Sequence, residues 1–358
     1  MRLAINGACG ERKQVMTQRY FEWLNQASPG VQLQFLMSGH WIAQAIGVAA
    51  DLGIADLLSE GPKTSGELAI ATGSNHRALY RLMRALASVG VFTEVEPERF
   101  ALTPIAEALR ADAAASQRDR VLQMCGDVSW RTWGQLGYSV RTGQPAFKRV
   151  HGMDAWEYRA RNPELDARFN AAMTSLAGQV ANAVVSAYDF SGFRTLVDIG
   201  GSHGVLLVAI LRANPKLRGV LFDLPHVVEG ARELLRAASL LERCDIVSGD
   251  MFKEVPTADA YILSRVIHDW DDERAVVTLV NCCRVMGRYG KLLLAEEVLP
   301  PGDVPSYGKL SDLNMLVSPG GQERTEAEYR ALYAAAGFEL TRVIPTRSRI
   351  SLIEGEPV

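Results

Sequence analysis

Thr195-Leu-Val-Asp-Ile199, running into Gly200-Gly-Ser-His-Gly204, decides how the rest of the chain is read. A short apolar run stops in glycines. An apolar helical segment follows, carrying Val205, Leu206, Val208, Ala209 and Leu211 and ending near Asn214-Pro215. That is a strand, a tight turn and a helix. The pattern then repeats toward the C-terminus. Strands are expected at residues 219–223, 245–248, 260–263 and 291–295, and helices at 228–241, 273–286 and 326–336. Val276, Leu279, Val280 and Cys283 are expected to share the buried face of the second of these helices. Thr325 and Glu328 have the spacing of a capping box. Two last strands are expected at 338–344 and 348–353. Strands and helices alternating over short links predict an α/β fold: a doubly wound, mostly parallel sheet with helices on both faces. Ligands of such sheets sit at the carboxyl ends of the strands, near the switch point.

The strand ends are therefore where chemistry is expected. The first ends in Asp198-Ile-Gly200-Gly201-Ser202-His203-Gly204. The glycines allow a tight turn and a close approach to a helix N-terminus. Ser202 and Val205 break the G-x-G-x-x-G pattern, which disfavours a dinucleotide site. The second strand ends in Asp223, which can accept hydrogen bonds from both hydroxyls of a ribose; a cap for the turn Leu224-Pro225 is the competing reading. The third ends in Gly249-Asp250-Met251-Phe252, where apolar side chains can sandwich an adenine while Asp250 takes its amine. Three such features at consecutive strand ends have no common explanation in capping. The fourth strand leads into Ser264-Arg265-Val266-Ile267-His268-Asp269-Trp270. Asp271 and Asp272 that follow complement the dipole of the next helix. His268 has no such explanation. With Glu296 at the fifth strand end and Glu323 before the capped helix, it forms a general-base arrangement, one ring nitrogen held by a carboxylate and the other free for substrate. Surface charge is the competing reading of the two glutamates.

Upstream, the stretch 31–58 is apolar on more than one face, through Leu33, Leu36, Trp41, Ile42, Ile46 and Ala49. It reads as a core helix or as a subunit interface. Thr64 or Ser65 then caps a short helix that Gly73 ends, a second helix runs over 75–89 with Leu79, Leu82, Met83 and Leu86 inward, and strands at 91–95 and 99–103 complete a winged-helix pattern. Arg77, Arg81 and Arg84 fall on one stripe of the second helix. Residues 1–110 hold ten Lys/Arg and ten Asp/Glu, and that neutrality argues against DNA binding, where a basic excess supplies most of the affinity. Residues 111–190 read as helical and connective, and their Trp130, Trp133, Phe147, Trp156, Tyr158, Phe169 and Met173 suit either a core or a wall against a flat organic ligand.

The chain has 358 residues, is 48% hydrophobic and 22% charged, and carries a net charge of −3. This is the composition of an ordinary globular protein, with no electrostatic drive toward nucleic acid or anionic membranes. Cys9, Cys125, Cys244, Cys282 and Cys283 are scattered, which fits free thiols in a reducing cytoplasm. No apolar run reaches the roughly 18 residues of a membrane span, and the charges from Arg2 to Arg19 do not suit a secretory signal.

The matching segments are Val197–Gly204, Phe222-Asp-Leu-Pro-His226, Gly249-Asp-Met-Phe252, His268-Asp-Trp270, Glu296 to Pro300, Asp312-Leu-Asn-Met-Leu316 and Gly320-Gly-Gln-Glu-Arg-Thr325. On these the chain resembles the S-adenosylmethionine-dependent small-molecule O-methyltransferases, which include plant caffeic acid, acetylserotonin and bacterial polyketide- and phenazine-tailoring enzymes. The resemblance runs from about Leu33 to Ile353. It implies a winged-helix dimerisation domain over 1–110, a helical connector contributing to the substrate pocket over 111–190, and a Rossmann-like class I methyltransferase domain with a seven-stranded sheet over 191–358. It implies that Gly200 meets the methionine part of the cofactor, Asp223 the ribose, and Asp250 with Met251 the adenine, with Asp198, Gly201, Leu224, Phe252 and Ser264 completing the set. His268 would be the base, flanked by Glu296 and Glu323. Phe169, Met173, Asn314 and Met315 would line the acceptor pocket. A homodimer through the N-terminal domain, an aromatic small-molecule acceptor, no nucleic acid or membrane partner and no metal follow from the same resemblance. Two departures stand out: Ser202 replaces a usual third glycine, and Ser264 stands where many members carry lysine. Some bacterial relatives lack the histidine or methylate nitrogen, so His268 favours an oxygen acceptor. Methylation of a ring nitrogen, a Mg²⁺-assisted O-methylation, a cofactor-binding scaffold without activity and a ligand-responsive DNA-binding regulator are the rival expectations.

Overall fold

The computed structural model describes residues 23–358 apart from 115 and 229. Cys9 and the charges from Arg2 to Arg19 lie outside the described residues. The chain forms two compact units, one ending at Trp130 and the other beginning at Arg131.

In the first unit the apolar stretch read as continuous is three helices, Pro29–Met37, Gly39–Asp51 and Ile54–Leu57. Gly53, at φ 64°, makes the second break, a left-handed backbone that costs glycine little. The core reading holds for one end of the stretch only. Ala49, Ala50, Ile54, Ala55 and Leu58 are buried in the unit's own core, whereas Leu33, Leu36, Met37 and Trp41 are open, Trp41 at 69% exposure. Thr64 caps Ser65–Thr72 in a capping box with Glu67, and Gly73 ends that helix at φ 66°. His76–Ser88 follows and buries Leu79, Met83 and Leu86. Three strands, β1 (Lys63–Thr64), β2 (Phe92–Glu96) and β3 (Arg99–Leu102), pair antiparallel in the order β1-β3-β2. Arg77, Arg81 and Arg84 point outward.

The second unit is built on β4 (Thr195–Ile199), β5 (Arg218–Asp223), β6 (Cys244–Ser248), β7 (Ala260–Ser264) and β8 (Lys291–Glu296), followed by the short β9 (Val298–Leu299) and β10 (Arg324–Thr325), then β11 (Phe338–Pro345) and β12 (Ser351–Pro357). The main sheet has seven strands in the order β11-β12-β8-β7-β4-β5-β6. β4 to β8 are parallel, and β12 and β11 return antiparallel at one edge. The period of two sorts the side chains onto two faces. Leu196, Leu221, Ile262 and Leu293 enter one apolar layer, and Val197, Phe222, Tyr261 and Leu292 the other. Each such burial is worth about 1.5–3 kcal/mol. The chain steps from β4 outward through β5 to β6 and then returns to the other side of β4 with β7. That reversal puts the switch point, and its crevice, at the ends of β4 and β7.

Three local expectations are corrected. The helix expected over 228–241 is two pieces, Pro225–Val228 and Ala231–Ala237, with Gly230 between them. The Asp272–Val285 helix buries Ala275, Thr278, Leu279 and Cys282, an i, i+3, i+4, i+7 face, while Val280 is exposed. The last strand begins at Ser351, three residues later than expected. Among the described residues the cysteines Cys125, Cys244, Cys282 and Cys283 are free, and no helix is long and apolar enough to cross a membrane.

Candidate active site

A cavity of about 330 Å³ opens at the carboxyl ends of the parallel strands, within the range of small-molecule sites. Asp198, Gly200, Gly201, Asp223, Leu224, Asp250, Met251, Phe252 and Ser264 line it, and so do Phe169 and Met173 from the Pro163–Ala187 helix. Asn314 and Met315 are not among its walls; Asn314 Oδ1 accepts a hydrogen bond from Trp133 Nε1 (3.0 Å) and Met315 is buried.

The glycine turn is set by contacts that leave no room for a side chain. A Cβ on Gly201 would lie 2.5 Å from Leu221 Cδ1 and 2.6 Å from Asp198 Oδ2; one on Gly200, at φ 68°, would lie 2.7 Å from Val266 Cγ2. Ser202 also has a positive φ, 51°, the backbone that the missing third glycine would take without strain. Both carboxylate oxygens of Asp198 are buried without a hydrogen-bond partner. Burial, and then the charge of Asp223, push its pKa up to about 8. Asp223 accepts hydrogen bonds from the Ser202 N–H (2.9 Å) and the Leu224 N–H (2.7 Å); burial raises its pKa too. The capping reading of Asp223 is thus true of its backbone bonds, and each oxygen keeps acceptor capacity. Asp250 accepts from the Phe252 N–H at 3.0 Å and pairs with Lys253 at 3.2 Å. Phe252 meets Trp270 edge-on (4.8 Å), and Trp270 stacks on Trp156 (5.6 Å).

His268 follows β7 on a short 3₁₀ turn, Ile267–Asp269, with its side chain 4% exposed. Its Nδ1 lies 3.2 Å from Glu296 Oε2 and 3.4 Å from Glu323 Oε1. Glu296, at the end of β8, also accepts the N–H groups of Val266 (3.0 Å) and Ile267 (2.9 Å) on Oε1. Glu323 Oε1 accepts from the Ser311 hydroxyl at 2.8 Å. The surface reading of both glutamates therefore fails, since both are buried. Burial works against a charged His268, but Glu296, Asp269 and Glu323 outweigh it and push its pKa up to about 9. His268 and its two glutamates are not themselves walls of the cavity, which reaches their loop at Arg265, Val266, Asp269 and Trp270. The three groups bring ligand atoms within 4.8 Å of one another, a spacing that would also admit a metal ion. One oxygen of each glutamate is engaged, by the two N–H groups and by the Ser311 hydroxyl, while Oε2 of each is buried without a hydrogen-bond partner.

Several residues here carried no role in the sequence reading. Arg324 is fully buried and donates to Asp272 Oδ1 (2.8 Å), Trp270 O (2.9 Å) and Ile267 O (3.2 Å). Gly321 packs on the same loop; a Cβ there would lie 2.1 Å from His268 O. Asp272, read only as a dipole partner, is thus also half of an ion pair. Arg159 and Arg265 line the cavity, and each holds a buried nitrogen without a partner. The available signal was a glycine pair and an arginine crowded around one glutamate at 320–324; nothing comparable marks Arg159.

A mostly parallel seven-stranded sheet with a glycine turn and acidic strand ends around one cavity defines a class I methyltransferase fold. Residues 133–339 match the model of an O-methyltransferase domain, and residues 35–112 that of an O-methyltransferase dimerisation domain. The chain belongs to this O-methyltransferase family. It is 48% identical to a phenazine O-methyltransferase of Lysobacter antibioticus over 90% of this chain and 95% of that protein. It is 40% identical to a mitomycin biosynthesis 6-O-methyltransferase of Streptomyces lavendulae over 87% of this chain and 89% of that one. An O-methyltransferase from neocarzinostatin biosynthesis, solved with S-adenosylmethionine and 2-hydroxy-5-methyl naphthoic acid, superposes with a TM-score of 0.78 at 34% identity, over 88% of this chain and 96% of that one.

Proposed function

We propose that this chain transfers a methyl group from S-adenosylmethionine to a hydroxyl, phenolic in character, of an aromatic small molecule of secondary metabolism. His268 is the base. The observation that carries this reading is the imidazole held between two buried glutamates on the loop that borders the cavity.

The residues present fit the cofactor. Asp198 offers two unpartnered buried oxygens to a cationic group, and Asp223 and Asp250 keep acceptor capacity for hydroxyls and an amine. Met251 and Phe252 supply the apolar faces for adenine. Gly200, Gly201, Leu224 and Ser264 complete the contacts, and Phe169 and Met173 face the acceptor. Asn314 and Met315, off the described cavity, belong to the acceptor side by resemblance alone. When bound, the cofactor supplies an electrophilic methyl on a sulfonium whose leaving group departs neutral.

The acceptor needs more help, because a phenol has a pKa near 10 and is mostly protonated at neutral pH. Glu296 and Glu323 sit beside Nδ1 at 3.2 and 3.4 Å, and Nε2, 3.7 Å from Asp269 Oδ1, is the nitrogen assigned to the acceptor proton. With its pKa near 9, His268 is charged in the free protein and has no lone pair to offer. Positive charge in the neighbouring cavity lowers that pKa, because like charges disfavour the protonated form, and so raises the neutral fraction that can accept the acceptor's proton. A general base typically contributes about 10²–10⁴ in rate, and alignment of acceptor and methyl group supplies the rest. No metal enters this reading, so a chelator is expected to leave turnover unchanged. The first unit pairs two copies through the exposed Leu33, Leu36, Met37 and Trp41; the protein works in the cytoplasm, without nucleic acid or membrane partners.

The test is a screen of phenols, hydroxyphenazines and hydroxyquinones with ¹³C-methyl-labelled S-adenosylmethionine, with products found by mass and the methylated atom read from the NMR shift of the labelled methyl. Label on an oxygen of at least one acceptor is expected. Transfer confined to ring nitrogens would overturn the reading.

A further inference from the structure

Arg159 lies at the cavity wall on the Ala155–Ala160 helix. Its guanidinium carbon is 3.7 Å from the centroid of the Phe169 ring and 4.5 Å from that of Trp156. Nη1 is buried and bonds to nothing. Asp269 and Asp166 are the acids that act on it, but among the described residues no carboxylate forms an ion pair with it. Burial disfavours its charge more than these two acids restore it. A guanidinium remains protonated even so. It is a buried cation short of one partner, and a buried charge left unpaired is costly.

The missing partner is an anion that arrives with a ligand. A guanidinium stacked on aromatic rings keeps its edge for a planar two-point contact, which a carboxylate matches. Two carboxylates could supply it, the methyl donor's own and one on the acceptor. The donor's has a nearer candidate. Arg265 follows β7, next to Val266, which packs against Gly200 of the glycine turn, and Arg265 Nε is itself buried and unpartnered. Arg159 instead stacks on Phe169, on the acceptor side of the cavity. We propose that Arg159 seats a carboxylate of the methyl acceptor, so that the preferred substrates are aromatic acids. This rests on the methyl-transfer reading above for which side of the cavity the acceptor takes.

The test reads binding, not turnover. The full-length protein saturated with S-adenosylhomocysteine is titrated calorimetrically with phenazine-1-carboxylate and with phenazine-1-carboxamide, flat probes of matched shape that differ in charge. The wild type is expected to bind the acid about tenfold more tightly than the amide or better. Arg159→Gln is expected to reduce that ratio to about twofold or less, Arg159→Lys to keep part of it, and neither to move the affinity for S-adenosylhomocysteine beyond about threefold. An acid bound no better than the amide by the wild type overturns the proposal. So does an Arg159→Gln protein that weakens both probes alike, which would make the residue a packing element. Loss of S-adenosylhomocysteine affinity with the acid preference intact would give the guanidinium to the methyl donor and equally overturn it. Failure of methyl transfer itself would show separately, in the screen of hydroxylated acceptors with labelled cofactor, because these two probes carry no hydroxyl and report binding alone.

Discussion

Asp198 holds a carboxyl group in a buried site with neither oxygen bonded, and its pKa stands at about 8. At pH 7 it is therefore mostly protonated. A cationic ligand group beside it favours the ionised form, so the sign is fixed: ligand binding releases a proton. Titration of S-adenosylhomocysteine at pH 7 in buffers of different ionisation enthalpy is expected to show release approaching about one proton per site, and Asp198→Asn is expected to abolish it. His268 responds in the same direction. Its ring, titrating at about 9 in the free protein, is expected to drop by about one unit with S-adenosylmethionine and by less with S-adenosylhomocysteine, which lacks the sulfonium charge; NMR of the ring protons reads both. Ser202 stores strain at φ 51°, so Ser202→Gly is expected to raise stability by about 1 kcal/mol in urea unfolding. The places of Asp198, Asp223 and Asp250 at the cavity were legible because each lies in or just after an apolar strand near its carboxyl end. Arg159 was not, since it sits on a short helix among other charged residues and owes its meaning to which rings it meets.

The turn carrying His268 is gripped from two sides. Glu296 takes two of its backbone N–H groups, and Arg324 takes two of its carbonyls while pairing with Asp272. Gly321 allows the 320–324 segment to lie against it. Removing the guanidinium leaves buried carbonyls unpaired, so Arg324→Met is expected to destabilise the protein by about 3 kcal/mol. At a temperature where the variant remains folded, kcat is expected to fall by about tenfold or more while the affinity for S-adenosylhomocysteine stays within about threefold, because Arg324 bonds to none of the residues assigned to the cofactor. The strands themselves, the last one excepted, were readable within a residue or two, as buried runs between glycines and prolines. Helix faces were less so. Val276 and Val280 look like core in one dimension, yet Ala275, Leu279 and Cys282 turn inward because the sheet lies on that side. Gly53 splits an apolar segment that periodicity alone joins.

The two units divide the labour. The second holds the cavity, His268 and the sheet that positions them. The first is a neutral helical module with an open apolar face at Leu33, Leu36, Met37 and Trp41, of the kind a monomer rarely leaves uncovered. Leu36→Glu with Trp41→Glu is expected to convert a dimer into a monomer by sedimentation velocity, with far-UV circular dichroism unchanged since neither side chain belongs to the unit's core. A dimer that persists in this variant would place the interface elsewhere. The winged-helix order of the first unit and the doubly wound order of the second were both legible, one from capping residues and glycine stops, the other from alternation. The reach of the cavity to residues far apart in sequence, such as Arg159 and Trp270, comes only from the folded chain.

Turnover of a His268→Ala enzyme, measured with cofactor and acceptor both saturating, bears on the whole account. A drop in kcat of about 10²–10⁴ is expected, with S-adenosylhomocysteine bound as tightly as by the wild type. A variant that methylates at nearly the unmodified rate would show that the imidazole takes no proton, and the chemistry assigned to this loop would fall with it.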